Sequence, residues 1–173
     1  MVFKALVTNL RKYKEGFLFG KWVEFPIEED DFFDVLKSIG VDECKEYIFA
    51  EYSYDNCPDL EFEQDEGYYK INEIAKKIAT LNKHETKKIE AIIEAWGTRE
   101  ITPLFDIDDY YLYEDIKNDY ALGYFLIHEC GYFELHSDVL GSLSDFIDYK
   151  KYGRHFDLNC FGGFTSYGYI AKY

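Results

Sequence analysis

Positive charge is scarce in this chain of 173 residues: 19 Lys and Arg stand against 34 Asp and Glu, leaving a formal net charge of −15. Small soluble domains usually carry a magnitude of about 2 to 8, so solubility alone does not account for the excess. An anionic surface of this strength repels nucleic acid and anionic lipid headgroups, and its natural partner is a basic protein surface. Cysteine is sparse too. Cys44, Cys57, Cys130 and Cys160 have no C-x-x-C spacing, and MVFKALVTNL lacks the apolar core of a signal peptide, so free thiols in a reducing cytoplasm are expected. No stretch approaches the roughly 18 to 20 apolar residues that cross a bilayer.

Motifs that would carry chemistry are missing as well. There is no Walker loop, no G-x-S-x-G elbow and no dinucleotide glycine fingerprint. His84, His128, His136 and His155 are scattered, and His128-Glu129 fails as the start of H-E-x-x-H because position 132 is Tyr. A Cys130-His128 nucleophile is conceivable there, but Cys130 reads better as a small apolar side chain at a helix end. Asp106, Asp108 and Asp109 offer carboxylates for acid/base work or a hard cation, yet the alternating acids, central glycine and closing glutamate of a calcium loop are absent. With so many acidic residues, some fall close together by chance. No catalytic, metal-binding or cofactor-binding residue is expected, and no cofactor.

What the chain has is aromatic and acidic residues in unusual company. Hydrophobic residues make up 47% and aromatics 20%, far from the composition of disordered chains. The acidic charge is concentrated: residues 28–66 hold 15 Asp and Glu against two lysines, and residues 100–148 hold 12 against Lys117 alone. Mildly basic segments separate these blocks, a pattern unlike the uniform surface of a salt-adapted protein. FDIDDYYLYEDIKNDY, residues 105–120, interleaves six carboxylates with five Tyr and Phe. Because the interleaved charges are negative, stacking on nucleic-acid bases is not the reading; most tyrosines are expected in or beside the core.

Hydropathy patterning places the elements. VFKALVTN and FLFGKWVEF read as strands joined through KYKEG, Pro26 ends the second, and IEEDDFFDVLKSIG reads as a helix closed by Gly40. EYIFAEYSY supplies a third strand. Ile71, Ile74, Ala75 and Ile78, then Ile89, Ile92, Ile93 and Trp96, form two helical stripes with a break at LNKHE. A helix is expected from about Tyr113 to Cys130 and a shorter one over 140–149, before a terminal β-hairpin in which HFDLNCF and FTSYGYIAKY flank a Gly162-Gly163 turn. The expected fold is α+β and elongated, with three small subdomains: a ββαβ-like unit over 1–66, a helical middle over 67–102, and an acidic α+β unit over 103–173.

Glu28, Glu29, Asp30 and Asp31 would sit in a helix first turn, where the dipole stabilises anions by about 0.3 to 1 kcal/mol each. Asp115 and Asp119, four apart on the expected helix, would repel by roughly 0.2 to 0.5 kcal/mol. A solvated face is the ordinary reading of an acidic run. Repulsion accepted over two long blocks instead makes the charge itself the product. Duplex DNA carries one charge per about 1.7 Å, so the two blocks together match about 46 Å of duplex. A compact chain of this length is only about 40 Å across, which is why elongation or dimerisation is expected.

Two segments resemble the ArdA antirestriction family. LRKYKEGFLFGKWVEFP is similar to that family's pattern at Tyr13, Gly16, Gly20, Trp22 and Pro26, and FIDYKKYGRHFDL is similar to its second pattern at Asp148, Tyr149, Tyr152, Gly153 and Arg154. His155, Phe146 and the connection FELHSDVLGS depart from the pattern. The resemblance implies a DNA mimic carried by mobile elements such as a plasmid or conjugative transposon. It would be a cytoplasmic homodimer joined through its C-terminal region, occupying the DNA-binding groove of type I restriction-modification enzymes at the methyltransferase core. The alternative is an acidic adaptor for another basic protein. The expected mimic charges are Glu28, Glu29, Asp30, Asp31, Asp34, Asp106, Asp108, Asp109, Glu114, Asp115 and Asp119. Tyr13, Gly16, Gly20 and Trp22 are expected as scaffold, Trp22 in the core.

Overall fold

Val2–Asn9 (β1) is the middle strand of an antiparallel sheet, flanked by Gly20–Phe25 (β2) and Tyr47–Asp55 (β3). The structure is a computed structural model that describes residues 2–42, 46–55, 60–62, 66–97, 99, 106–130 and 141–172. Its chain condenses into two compact units, Met1–Thr86 with Arg99–Phe105, and Lys87–Thr98 with Asp106–Tyr173. The fold is α+β, as the patterning predicts.

In the first unit, alternation along the strands decides which face is buried. Phe3, Ala5 and Val7 point to the same side as Val23 and Phe25, and Glu29–Ser38 (α2) lays Phe32 and Leu36 on that side. Phe3, Phe25, Phe32 and Phe49 pack with ring centroids 5.9 to 6.3 Å apart, within the range of favourable aromatic pairs. Between β1 and β2, Leu10–Lys14 (α1) is a short helix that takes in the first three residues of KYKEG, with Glu15 and Gly16 turning the chain after it; Asn9 caps it by accepting from the Lys12 N–H. The Asn9 side-chain amide also donates to the carbonyls of Ile39 and Gly40, tying the end of β1 to the end of α2.

The helical stripes fold as expected. Tyr68–Thr80 (α3) buries Ile71, Ile74, Ala75 and Ile78, and Lys83–Trp96 (α4) buries Ile89, Ala91 and Ile92. The break at LNKHE is a reciprocal cap: Asn82 Oδ1 accepts from the N–H groups of His84 and Glu85, while Glu85 Oε2 accepts from the Asn82 N–H at 2.7 Å.

The second unit centres on Gly168–Lys172 (β6), which lies between Tyr110–Tyr113 (β4) and Gly162–Thr165 (β5), all antiparallel. β6 is covered on both faces. Ile170 joins Ala91, Ile92, Tyr110 and Leu112 in one cluster, whereas Tyr169 and Ala171 join Ile116, Leu122 and Leu126 in another. Two helices, Asp119–His128 (α5) and Tyr149–Asn159 (α6), belong to the second side.

Several expectations fail here. The helix expected from Tyr113 begins only at Asp119, because YYLY alternates as a strand and Asn118 supplies the cap, accepting from the Ala121 N–H at 3.0 Å. Asp115 therefore lies in a turn, and its predicted same-face repulsion with Asp119 does not arise. HFDLNCF is not a strand: its first five residues complete α6. Gly162 and Gly163 open β5, and the hairpin turns at Ser166-Tyr167 into Gly168, whose φ of +145° suits only glycine. Of the helix expected over 140–149, residues 141–143 are helical and Ser144–Phe146 form a 3₁₀ turn, with position 140 outside the described residues.

Candidate acidic interaction surfaces

Five of the expected charges gather at one helix start. Glu28 is the N-cap residue of α2, Glu29, Asp30 and Asp31 fill its first turn, and Asp34 follows one turn later; all five are exposed. The turn is anchored from below. Ile27 N–H donates to Asn72 Oδ1 at 2.9 Å, Tyr68 O–H donates to the Ile27 carbonyl at 2.7 Å, and the Tyr68 ring stacks on Phe32 with centroids 4.6 Å apart. Burial, and then the nearby Glu29 and Glu28 carboxylates, push the Tyr68 hydroxyl pKa up. Tyr69 O–H donates to Glu29, and Lys37 pairs with Asp34 at 3.1 Å, an exposed contact worth about 0 to 1 kcal/mol. Among the described residues, Glu28, Asp30 and Asp31 make no ion pair.

The second group lies on the second unit. Ile107–Asp109 form a 3₁₀ turn whose Ile107 is buried, leaving Asp106, Asp108 and Asp109 exposed around it. Lys88 Nζ donates to the Ile107 carbonyl at 3.3 Å and fixes the turn through its backbone, not its carboxylates. Glu114 is half-exposed and paired with Lys87, Asp115 is exposed, and Asp119 is half-exposed at the start of α5. Asp106, Asp108, Asp109, Asp115 and Asp119 make no ion pair among the described residues.

Sequence reasoning missed a groove beside this group. Glu114 and Asp115 on one side, and Tyr120, Tyr124 and Glu129 along α5, line an open hollow of about 520 Å³. The i, i+4 spacing of Tyr120 and Tyr124 was a legible sign of one helix face, but the misplaced helix start hid which face. An aromatic wall with carboxylates at its rim suits a cationic side chain.

Outside these surfaces the chemistry is structural. His128 Nε2 lies 2.7 Å from the buried Tyr149 hydroxyl, and its ring stacks on Tyr124. No group of three or more His, Cys, Asp or Glu that could hold a metal occurs among the described residues, and no helix there is long and apolar enough to cross a membrane.

The motif residues take varied places. Gly16 turns the chain after α1 with φ of +86°, and Pro26 follows β2. A Cβ on Gly20 would meet the Val7 carbonyl oxygen at 2.5 Å and Thr8 Oγ1 at 2.6 Å, so β2 lies against β1 only with glycine there. Asp148 caps α6, accepting from the Lys151 N–H at 2.9 Å; Tyr149 and Gly153 are buried, Tyr152 half-buried and Arg154 exposed. Trp22 corrects an expectation. It is 46% exposed, because its partner across the strands is Leu6 on the face opposite Phe25, and Tyr13 is 42% exposed.

No curated protein matches the chain. Residues 5–171 match the family described as Antirestriction protein (ArdA). Since that match runs over nearly the whole sequence, the chain belongs to the ArdA antirestriction family, whose members inhibit restriction enzymes.

Proposed function

We propose that this protein inhibits restriction by imitating DNA: its carboxylates stand in for phosphates and occupy the DNA-binding groove of a type I restriction-modification enzyme at its methyltransferase core. The observation that carries the reading is the placement of the acidic residues. Glu28, Asp30, Asp31, Asp106, Asp108, Asp109 and Asp115 are exposed, and among the described residues no cation of this chain pairs with them. Rings below them, such as Phe32 and Tyr68, hold the backbone that presents them.

Lysines and arginines of a DNA groove gain affinity by releasing counterions, and a prefolded anionic surface competes for the same side chains. The groove walled by Tyr120 and Tyr124 seats one such cation. Because the match is to backbone charge and not to base edges, enzymes of differing sequence specificity are inhibited alike. The mechanism is stoichiometric occupation without catalysis, in the cytoplasm that incoming mobile DNA enters. A homodimer joined through the C-terminal region doubles the charged length.

A competition titration tests this. Purified protein is added to labelled duplex bound by a type I methyltransferase core, at two salt concentrations. Displacement at near-stoichiometric protein, weakening as salt rises, is the expected result. Failure to bind or displace across type I families overturns the reading and assigns the acidic surfaces to another basic partner.

A further inference from the structure

The hollow beside α5 combines three features that point to one kind of occupant. Its wall is aromatic and one-sided: Tyr120 and Tyr124 stand four apart on α5, 55% and 43% exposed, and each leans on the buried Tyr149 ring with centroids 5.5 Å apart. Ile116, Ala121 and Phe125 add an apolar lining, with the Phe125 ring against Tyr113 at 4.8 Å. Its rim is acidic. Glu114 and Asp115 precede α5, and Glu129 ends it beside the negative pole of the helix dipole. The chain's own cations are committed elsewhere: Lys87 is paired with Glu114, and Lys117, the sole Lys or Arg of residues 100–148, donates to the Ser166 carbonyl at 2.9 Å. Among the described residues, Asp115 and Glu129 make no ion pair.

We infer that this hollow is an arginine site, where a guanidinium of a basic partner protein lies flat on the Tyr120 and Tyr124 wall and donates to the rim carboxylates. The source of the arginine rests on the DNA-mimic reading; the site itself does not. A caged ammonium needs rings on several sides, whereas both exposed rings here stand on one helix and the opposite edge carries Glu114 and Asp115. A planar cation covers such a wall with one face and reaches the rim with its edge donors, which a lysine cannot do. From Tyr120 to Glu129 the lining runs about 13 Å along α5, so the methylene stem can lie over Ala121 and Phe125 while the charge reaches the rim. The acidic rim repels phosphate, and an uncharged peptide would cover the carboxylates without satisfying them. An arginine held against aromatic rings is a frequent centre of binding energy, so the hollow supplies affinity that dispersed surface charges do not.

The test is a titration of the isotope-labelled full chain with acetyl-Gly-Arg-Gly-amide at fixed ionic strength, read by amide chemical shifts. A saturable shift confined to the stretch from Glu114 to Glu129 is expected, with the lysine peptide binding about threefold more weakly and the neutral citrulline peptide failing to bind. Tyr120→Leu with Tyr124→Leu keeps apolar bulk, removes the rings and weakens the arginine peptide by about tenfold. Because both rings touch Tyr149, a second variant protects the conclusion: Asp115→Asn alters one exposed side chain in a turn and weakens binding about threefold. No saturable shift, equal binding of the arginine and citrulline peptides, or shifts that extend equally over Glu28 to Asp34 overturn the assignment. The competition titration with a methyltransferase core separates this site from the mimic reading, since the double tyrosine variant loses no charge. If the parent chain displaces DNA and the variant equals it, the arginine site fails and the mimic stands; a chain that takes the arginine peptide but displaces no DNA keeps the site and loses the mimic.

Discussion

Gly123 and Gly153 face one another where α5 and α6 cross, and neither position has room for a methyl group. A Cβ on Gly123 would lie 1.9 Å from the Tyr149 carbonyl oxygen, and one on Gly153 would lie 1.9 Å from the carbonyl oxygen of Asp119. Both obstacles are backbone, which cannot swing aside as a side-chain end does. The two helices pack at backbone contact, and Asp119 takes its place in the acidic surface from that crossing. Gly153→Ala is expected to destabilise the second unit by about 3 kcal/mol or more, at the upper end for overpacking. Urea denaturation followed by tyrosine fluorescence measures it, and a loss below about 1 kcal/mol would show that the crossing yields.

Inhibition should decline in small steps as the acidic surface is neutralised. Asp30→Asn alone is expected to weaken enzyme binding less than fivefold, because the attraction is spread over many exposed charges. Asp30→Asn, Asp31→Asn and Asp34→Asn together should weaken it further and lower the slope of log affinity against log salt. Abolition of activity by one Asp→Asn change is the outcome an enzymatic mechanism predicts, and it would reject the mimic.

Phe32→Ala tests whether the core under the acidic turn sets its geometry. Phe32 is 1% exposed and touches Phe25, Phe49, Tyr47 and Tyr68, so truncation should cost about 3 to 5 kcal/mol. At temperatures where the variant remains folded, inhibition should fall although no charge has been removed. Unchanged inhibition would mean that charge alone suffices, without a rigid support.

Glu94 and Ser166 give a pH dependence whose sign follows from their contact. Glu94 Oε1 accepts from the Ser166 N–H at 2.8 Å and Oε2 from its hydroxyl at 2.7 Å, and these bonds hold the carboxyl below its ordinary range. A carboxyl whose pKa is lower in the folded state contributes stability above its unfolded pKa and loses it as pH falls through the folded value. The stability gap between the parent chain and Glu94→Gln should therefore be widest near neutral pH and narrow as pH falls below the ordinary carboxyl range and through the lowered folded value. Urea melts at pH 7 and pH 3 compare the two, and a gap that widens in acid contradicts the assignment.

Mutual repulsion of the unpaired carboxylates predicts a further dependence on salt. Raising sodium chloride from about 0.01 to 0.15 M shortens the Debye length from about 30 to 8 Å and should raise the melting temperature. Calorimetry at both ionic strengths reads the shift, and no rise would mean that the two acidic groups scarcely act on themselves.

How much of this was legible depends on whether periodicity or contact made the decision. The alternation of Phe3, Ala5 and Val7 and the three-and-four spacing of Ile71, Ile74 and Ile78 are local patterns, because burial of one face imposes them whatever the partner. The first turn of α2, the break at LNKHE and the α+β class were readable for the same reason. The acidic blocks were readable as charge, since the count of carboxylates depends on no fold. The exposure of Trp22 was not readable: an aromatic in a strand tells only that it alternates, and which face is covered was decided by α2 packing on the side of Phe25. Nor was the start of α5, where YYLY pairs as a strand because β6 lies beside it and the Asn118 cap begins the helix later. The Gly162-Gly163 pair looked like a turn by composition, yet Gly163 pairs with Ile170 inside the hairpin because Gly168 absorbs the unusual backbone angle. Sequence alone determined the amount of negative charge and the family; tertiary packing decided which carboxylates stand free and which rings are left facing solvent, because exposure is a property of neighbours brought together from distant parts of the chain.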